Sequence, residues 1–150
     1  MNANTFTIKF ENGLPKGTAQ QKGETIRYKV IDGRRVPYIH HFKKEKVSAA
    51  RQEFELRLRK YRPKNPTAKP VRLSVWFFFN VADRARWGTY KASRPDVDGY
   101  LKEFLDAMTA QGFWFDDAQV VDLRIVKSYA EQGAIWVRFE EIEDIKAVGV

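Results

Sequence analysis

Apolar and polar residues alternate along this chain with two different periods, and the change of period predicts where strands and helices lie. The run TFTIKF at residues 5–10 has apolar residues at every second position, which is typical of a half-buried strand. Residues 24–39 hold two further alternating runs on either side of Asp32 and Gly33, a pair that favours a tight turn, so a β-hairpin is predicted there. The intervening segment LPKGTAQQKG has no period and is expected to be an exposed loop.

Two helices are predicted from a longer apolar period. Residues 43–61 consist mainly of good helix formers with many basic side chains, and the prolines of RPKNPTAKP end this helix. Residues 98–111 carry one apolar stripe, with Asp98 as the expected N-cap and Gly112 as the residue that ends the helix. The stripe consists of Leu101, Phe104, Leu105 and Met108.

Three more strands complete the predicted fold. Residues 71–80, VRLSVWFFFN, become apolar on both faces, which indicates a strand buried from both sides. Residues 119–129 and 134–143 are predicted to be strands, and the short link AEQG between them favours an antiparallel pair. The order strand, hairpin, helix, strand, helix, strand, strand predicts an α+β protein, a single domain over residues 1–150 with a mixed β-sheet and two main helices.

Composition narrows the classes of protein to which the chain can belong. Its 43% hydrophobic and 14% aromatic residues are typical of a globular domain, and the absence of cysteine excludes disulfides and thiol chemistry. The start lacks the layout of a secretory signal, and no apolar run approaches the roughly 18 residues of a membrane helix, so a cytoplasmic protein without a membrane partner is expected. A net charge of +8 favours nucleic acid as the partner; the alternative is a basic surface that is merely solvated.

The acidic residues are concentrated in one region. Residues 95–122 contain seven Asp or Glu and one Lys, whereas the rest of the chain has 26 Lys or Arg and 12 Asp or Glu. Two pairs of aspartates stand at the ends of the second predicted helix, Asp96 and Asp98 before it and Asp116 and Asp117 after it. Neighbouring like charges repel one another, so the clustering requires an explanation.

The two pairs can meet only if the chain turns back after the helix. A helix of this length spans about 20 Å, and five extended residues after Gly112 return about 17 Å. If the run FWF follows the helix backwards, its aromatic residues pack on the helix. Asp117 then comes within reach of Asp96 and Asp98.

A divalent metal site is one interpretation of these aspartates. Converging carboxylates repel one another unless a cation lies among them, and a site made only of oxygen ligands selects Mg²⁺ or Mn²⁺. His40 and His41 are adjacent and remote in sequence, which argues against a zinc site. In the alternative interpretation, one aspartate caps the helix, Asp116 and Asp117 form a turn, and the others are solvated.

Basic residues near the acidic region are candidates for contacting phosphates. Lys102 lies one turn after Asp98, where it either stabilises charge on a phosphate or pairs with Asp98. Trp87 and Tyr90, in the loop before the helix, either stack on bases or pack against the core. The predicted DNA-contacting residues are Lys16, Lys22, Arg84, Arg86, Lys91 and Arg94. For Lys16 and Lys22, as for Arg34 and Arg35 in the hairpin turn, the alternative is a solvated charge in a loop or turn.

Residues 95–121, PDVDGYLKEFLDAMTAQGFWFDDAQVV, resemble the signature of the RusA-like Holliday junction resolvases, small endonucleases of phages and prophages. The family pattern is Asp-x-Asp-Asn with a Lys four residues after the second Asp, then Leu-Asp-Ala-Leu, then Asp-Asp-Ser/Ala-Gln-Val. The resemblance implies a homodimer in the cytoplasm of a bacterial host. It implies that this homodimer acts in DNA recombination and repair by making paired, Mg²⁺-dependent nicks in four-way junctions.

The resemblance also assigns roles to the matching residues. It implies that Asp96, Asp98 and Asp117 are the essential acids and metal ligands, and that Lys102 is the essential lysine. Asp116 matches the first acid of the Asp-Asp pair and is implied as a further ligand.

Two other positions bear on activity. Gln119 matches the family glutamine that follows the acid pair and positions its loop, whereas Gly99 stands where the family usually has Asn. The departure at Gly99 keeps an alternative open, a branched-DNA-binding protein with a degenerate, non-catalytic acidic site. A phosphatase acting on small substrates is disfavoured, because the basic charge outside the acidic region is excessive for a small anion.

Overall fold

The computed structural model describes residues 3–16, 22–43 and 48–148, which form six strands and two α-helices. The strands are β1 (Ala3–Phe10), β2 (Lys22–Ile31), β3 (Arg34–Lys43), β4 (Val71–Asn80), β5 (Val120–Ala130) and β6 (Gly133–Glu141), and the helices are α1 (Ala49–Leu58) and α2 (Val97–Ala110). This order confirms the predicted α+β class and the hairpin. No helix within these ranges is long and apolar enough to cross a membrane.

Four strands form a mixed sheet in the order β1-β6-β4-β5, and β2 and β3 form a separate two-stranded sheet. β4 pairs with β5 in parallel and with β6 antiparallel. The predicted pairing of β5 with β6 is therefore wrong, because β4 lies between them. α2 carries the chain back along the sheet, so β5 runs parallel to β4 on one edge and leaves the other edge of β4 to β6.

Aromatic side chains join the two helices to one face of the sheet. The ring centroid of Phe104 in α2 lies 5.3 Å from that of Phe54 in α1 and 5.8 Å from that of Phe77 in β4, both in edge-on contact. All three side chains are fully buried. Because buried aromatic pairs contribute beyond the area that they bury, this cluster fixes the position and rotation of α2 on the sheet.

The outward face of β4 is only partly covered. Trp76 and Phe78 are half-buried, and their rings stack with centroids 5.6 Å apart. Trp136 of β6 lies directly beside Trp76 in the strand register. The prediction that β4 is buried on both faces is therefore only half right, because most of its helix-facing residues are buried and its outward-facing apolar residues are half-buried.

α1 begins later than predicted. Ser48 is its N-cap, and the Ser48 Oγ accepts a hydrogen bond of 3.1 Å from the backbone N–H of Arg51. Lys43 belongs to β3, and residues 44–47 lie outside the described residues. The serine inside the predicted helix was the signal for the true start, because serine is favoured at the N-cap and not in a helix interior.

We expect Phe104→Ala to lower the free energy of unfolding by about 3–5 kcal/mol, because it leaves a cavity among Phe54, Phe77 and α2. Urea denaturation followed by far-UV circular dichroism measures this change. The control is Leu56→Ala on α1, whose side chain is 62% exposed and whose loss should cost less than about 0.5 kcal/mol. Equal effects of the two substitutions would contradict the assigned core.

Candidate functional site

α2 begins at Val97, and the residue at its N-cap position is Asp96. The predicted N-cap, Asp98, instead lies in the first turn of the helix. Asp96 has an extended backbone, and its carbonyl accepts the first helical hydrogen bond from the Tyr100 N–H at 3.1 Å. Its side chain makes no capping hydrogen bond, so the carboxylate of Asp96 is available for another partner.

The backbone just before Asp96 is tied to β5 by a lysine. The half-buried Lys127 donates from Nζ to the carbonyl oxygens of Ser93 at 2.8 Å and Pro95 at 2.7 Å. Sequence reasoning missed this interaction, although a lysine within a largely apolar strand was a visible signal. Hydrogen bonds from a charged donor are stronger than neutral ones, so Lys127 fixes the approach to Asp96.

After α2 the chain does turn back along the helix. Phe113 and Trp114 are each 1% exposed and pack in the core, whereas Phe115 is 67% exposed. Asp117 reaches Lys102, whose Nζ donates to its Oδ2 at 3.0 Å. Lys102 lies four residues after Asp98, so Asp117 meets the helix about 6 Å along its axis from Asp98.

Lys102 lies between two carboxylates. Its Nζ is 3.0 Å from Asp117 Oδ2 and 3.0 Å from Asp106 Oδ1. Among the residues that the structure describes it makes no ion pair with Asp98, so the predicted alternative pairing is wrong. The hydrogen bond to Asp117, followed by that to Asp106, raises the pKa of Lys102.

Asp106 was missed by the sequence reasoning, although its spacing was informative. Asp98, Lys102 and Asp106 recur every four residues and therefore lie along one face of α2. An Asp four residues from a Lys is also a common helix pair. This face, together with Asp117, is called the acidic face below.

The turn that carries Asp117 is held by two side chains. Asp116 caps the 3-10 turn Asp117–Gln119, and its Oδ1 accepts from the Ala118 N–H at 2.9 Å. Gln119 Oε1 accepts from the backbone N–H groups of Phe115 and Asp116, at 2.9 and 3.0 Å.

The amide nitrogen of Gln119 completes the link to the rest of the chain. Gln119 Nε2 donates to the carbonyls of Thr67 and Lys69, at 2.8 and 3.0 Å. All four hydrogen-bonding positions of one amide are thereby used. Gln119 positions the turn, in agreement with the role implied by the resemblance.

The candidate metal ligands are carboxylates, which suit Mg²⁺ or Mn²⁺. Within the ranges that the structure describes, however, no three acidic or histidine side chains are gathered closely enough to hold an ion. Lys102 neutralises Asp117, while like charge keeps unpaired carboxylates apart. The donor chemistry fits a divalent ion, and assembly of the site requires these side chains to move.

A cleft of about 620 Å³ opens beside Asp96. Two of the predicted DNA-contacting residues, Lys16 and Arg94, are exposed and line it, and Gly99 also lies on its wall. The loop that carries Lys16 is held by Tyr100, whose hydroxyl donates to the Pro15 carbonyl at 2.7 Å. The structure therefore brings a cation from the start of the chain next to the acidic helix end.

Loop 81–95 runs beside β5 and carries three more predicted cations. The Arg86 guanidinium lies 4.1 Å from the ring centroid of Tyr129, and Lys91 Nζ lies 5.1 Å from it. Arg84 lies 5.7 Å from the Trp87 ring. The side chain of the remaining predicted residue, Lys22, lies outside the described part of the structure.

The two aromatic residues of this loop have different environments. Trp87 is half-buried, and its Nε1 donates to the Val81 carbonyl at 2.9 Å, so it anchors the loop. Tyr90 is 76% exposed. Of the two alternatives left open by the sequence, packing applies to Trp87, and Tyr90 remains available for stacking.

The chain is similar to known proteins along most of its length. The family model described as endodeoxyribonuclease RusA matches residues 14–140, which include every candidate residue named above. The crossover junction endodeoxyribonuclease rusA of Lactococcus phage r1t is 31% identical over 139 residues, covering 91% of this chain and 98% of the relative. The crossover junction endodeoxyribonucleases RusA of Escherichia coli strain K12 and Enterobacteria phage 82 are each 52% identical over 40 residues, 27% of this chain and 33% of each relative.

We expect Gln119→Leu to lower the free energy of unfolding by about 2–4 kcal/mol, because four hydrogen bonds are removed and their backbone partners are left with fewer bonds. The control is Gln119→Glu, which keeps the acceptor for Phe115 and Asp116 but lacks the donor to Thr67 and Lys69. Urea denaturation should give the highest free energy of unfolding for the parent, a lower one for Gln119→Glu and the lowest for Gln119→Leu. Amide exchange at Ala118 should rise in both variants, and unchanged exchange would contradict the positioning role.

The raised pKa of Lys102 sets how its contribution to stability depends on pH. Its pKa in the folded chain lies above the ordinary value of 10.5. The contribution is therefore complete below pH 10.5 and is lost as the pH rises through the folded pKa. The stability difference between the parent and Lys102→Met should be at most about 1 kcal/mol for this partly exposed pair, and it should be constant from pH 7 to 9. Denaturation at several pH values checks this, and a difference that fades between pH 7 and 9 would contradict it.

Proposed function

The chain belongs to the RusA family of endodeoxyribonucleases, and from this premise we propose that it cuts four-way DNA junctions. The observation that carries the proposal is the match of the family model over residues 14–140, which spans both the acidic face and the cleft beside Asp96. The relative from Lactococcus phage r1t, which is named as a crossover junction endonuclease, covers almost the same length. We further propose a role in DNA recombination and repair.

Asp96, Asp98 and Asp117 would hold the divalent ion, with Mg²⁺ as the proposed cofactor and Mn²⁺ as a substitute. Their carboxylates provide the oxygen ligands that these ions prefer. When bound, the ion would polarise the phosphate and lower the pKa of a water molecule for in-line attack on phosphorus. Asp116 is a weaker candidate ligand, because one of its oxygens already accepts a backbone hydrogen bond.

Lys102 acts as a cation rather than as a proton acceptor. Its raised pKa keeps the ammonium group charged at neutral pH, so it cannot remove a proton from water there. While it pairs with Asp117 it balances the acidic face. With DNA and metal bound, the ammonium group would stabilise the negative charge that develops on the phosphate.

Contacts to the DNA backbone would come from cations around the acidic face. Lys16 and Arg94 line the cleft beside Asp96, and we assign them to the phosphates nearest the cut. Arg84, Arg86 and Lys91 of loop 81–95 extend this surface along β5, where the exposed Tyr90 can stack on an unpaired base. A two-fold homodimer would place one site on each of two opposed strands and account for paired nicks.

The alternative function is junction binding without cleavage. Gly99, which lines the cleft, offers no side chain where the family pattern has Asn. A binding protein of this kind would hold junctions as tightly as a nuclease but would neither bind Mg²⁺ nor cut.

We expect Asp98→Asn and Asp117→Asn to reduce junction cleavage by about 100-fold or more, because each removes a proposed metal ligand and the loss of a residue that only orients a ligand already costs about 10- to 100-fold. The measurement uses end-labelled four-way junctions and linear duplex of the same sequence, with and without Mg²⁺. Symmetric incision of the junction alone, dependent on Mg²⁺, is the expected result for the parent. Calorimetric titration with Mg²⁺ or Mn²⁺ should show a site in the parent that both variants weaken.

The matched control is Asp144→Asn, because Asp144 is an exposed acid outside the acidic face. It should cut junctions and bind metal as the parent does. The nuclease proposal is wrong if either test variant cuts as fast as the parent. A parent that binds junctions without cleaving them or binding metal supports the alternative.

A further inference from the structure

The hairpin of β2 and β3, residues Lys22–Lys43, is called the arm below. Its strands pair antiparallel over ten residues each and join through Asp32 and Gly33, whose φ angles of 51° and 73° are typical of the tight turn that hairpins favour. Nine steps of about 3.4 Å make it about 30 Å long. Within the described part of the chain it packs extensively on no other strand or helix.

The arm exposes apolar as well as basic residues. Ile26, Val30 and Ile39, which share one face, are 65%, 71% and 59% exposed. An isolated two-stranded hairpin is marginally stable in water and needs a further surface for support. These observations indicate that a binding partner covers the arm.

Charge favours a polyanionic partner. Between Ile26 and His40 the arm has four exposed cations, Arg27, Lys29, Arg34 and Arg35, and one acid, Asp32. Two cations lie over aromatic rings of the opposite strand, with Arg35 4.8 Å from the ring of Tyr28 and Lys29 5.6 Å from that of Tyr38.

A protein interface would have to remove these cations from water, whereas DNA phosphates neutralise them and release counterions. The major groove of DNA accepts a two-stranded β-ribbon, and its thymine methyl groups offer apolar contacts to isoleucine and valine. DNA therefore suits both the basic and the apolar residues of the arm.

A short segment of chain connects the arm to the cleft beside Asp96. Lys16 lines the cleft beside Asp96, and the six residue steps from Lys16 to Lys22 span at most about 22 Å. The arm is therefore tethered near the proposed cleavage site, and its length approaches one turn of B-DNA, about 34–36 Å.

We propose that the arm is a second DNA-binding element, which grips the duplex about one helical turn from the phosphate that is cut. This inference rests on the proposed function, because it takes junction DNA as the partner. In this proposal the arm contributes binding affinity and sets the position of the duplex along the protein, while the acidic face cuts the phosphodiester bond.

The test replaces Arg27, Lys29, Arg34 and Arg35 together by Gln and measures junction binding without Mg²⁺ at several salt concentrations. The dissociation constant at about 0.1 M salt should rise about 10- to 100-fold, and the slope of log K against log salt should fall by about 0.9 for each phosphate that the variant no longer neutralises. Single-turnover cleavage at saturating protein should stay within about twofold of the parent. Because the arm is proposed to grip the duplex about one helical turn from the reacting phosphate, its replacement should affect binding rather than the cleavage step.

Two controls make the result specific to the arm. Replacing Arg59, Lys60, Arg62 and Lys64, which are exposed after α1, by Gln removes the same charge and should weaken binding less than about threefold. Replacing Arg27, Arg34 and Arg35 by Lys keeps the charge and should keep affinity within about threefold of the parent.

The proposal is overturned if the two glutamine variants weaken binding equally, or if the lysine variant binds as weakly as the glutamine variant of the arm. It is also overturned if the arm variant changes the oligomeric mass measured by light scattering without DNA, since the arm would then be an interface with a second copy of the chain. A parent that fails to bind junctions refutes the proposed function itself, which distinguishes the two failures.

Discussion

The ion pairs of Lys102 are the interaction on which the site depends. The face of α2 and the turn after it are both negatively charged and repel each other. The ammonium group of Lys102 offsets this repulsion, because it lies 3.0 Å from an oxygen of Asp106 on the helix and 3.0 Å from an oxygen of Asp117 on the turn. The pairing compensates charge without closing the site, since Lys102 remains 46% exposed. In the proposed function, a divalent ion would take over this compensation, and the ammonium group would then be free to approach a phosphate.

The surrounding fold holds in place the two elements that Lys102 joins, the helix α2 and the turn that carries Asp117. Phe104 sits between the other helix and the sheet and so determines which face of α2 turns to solvent. Gln119 fastens the turn that carries Asp117 to residues 67–69, and Lys127 fastens the backbone that precedes Asp96 to β5. Core packing and the hydrogen bonds of Gln119 and Lys127 thus fix the backbone of the site, while its exposed acidic side chains can change conformation.

Local signals explain what the sequence predicts well. The turn at Asp32 and Gly33 and the apolar stripe of α2 depend on neighbouring residues, and both are found in the structure. The N-cap was misplaced because Asp96 and Asp98 are equally good caps two residues apart.

The pairing of β5 and the hydrogen bonds of Lys127 depend on which strand lies beside which. A hydrophobic pattern specifies which face of a strand is buried and not its neighbour. Loop 81–95 also covers part of a sheet edge, because β5 is one of the two edge strands of the four-stranded sheet. The loop bonds to it through Gly88 N–H to Tyr129 O, Tyr129 N–H to Thr89 O and Lys91 N–H to Lys127 O, at 2.9–3.0 Å. A bare sheet edge is a template for aggregation. The basic segment thus covers the Lys127–Tyr129 part of this edge against edge-to-edge pairing, so shortening the loop would expose backbone groups of β5 even where its charges are dispensable.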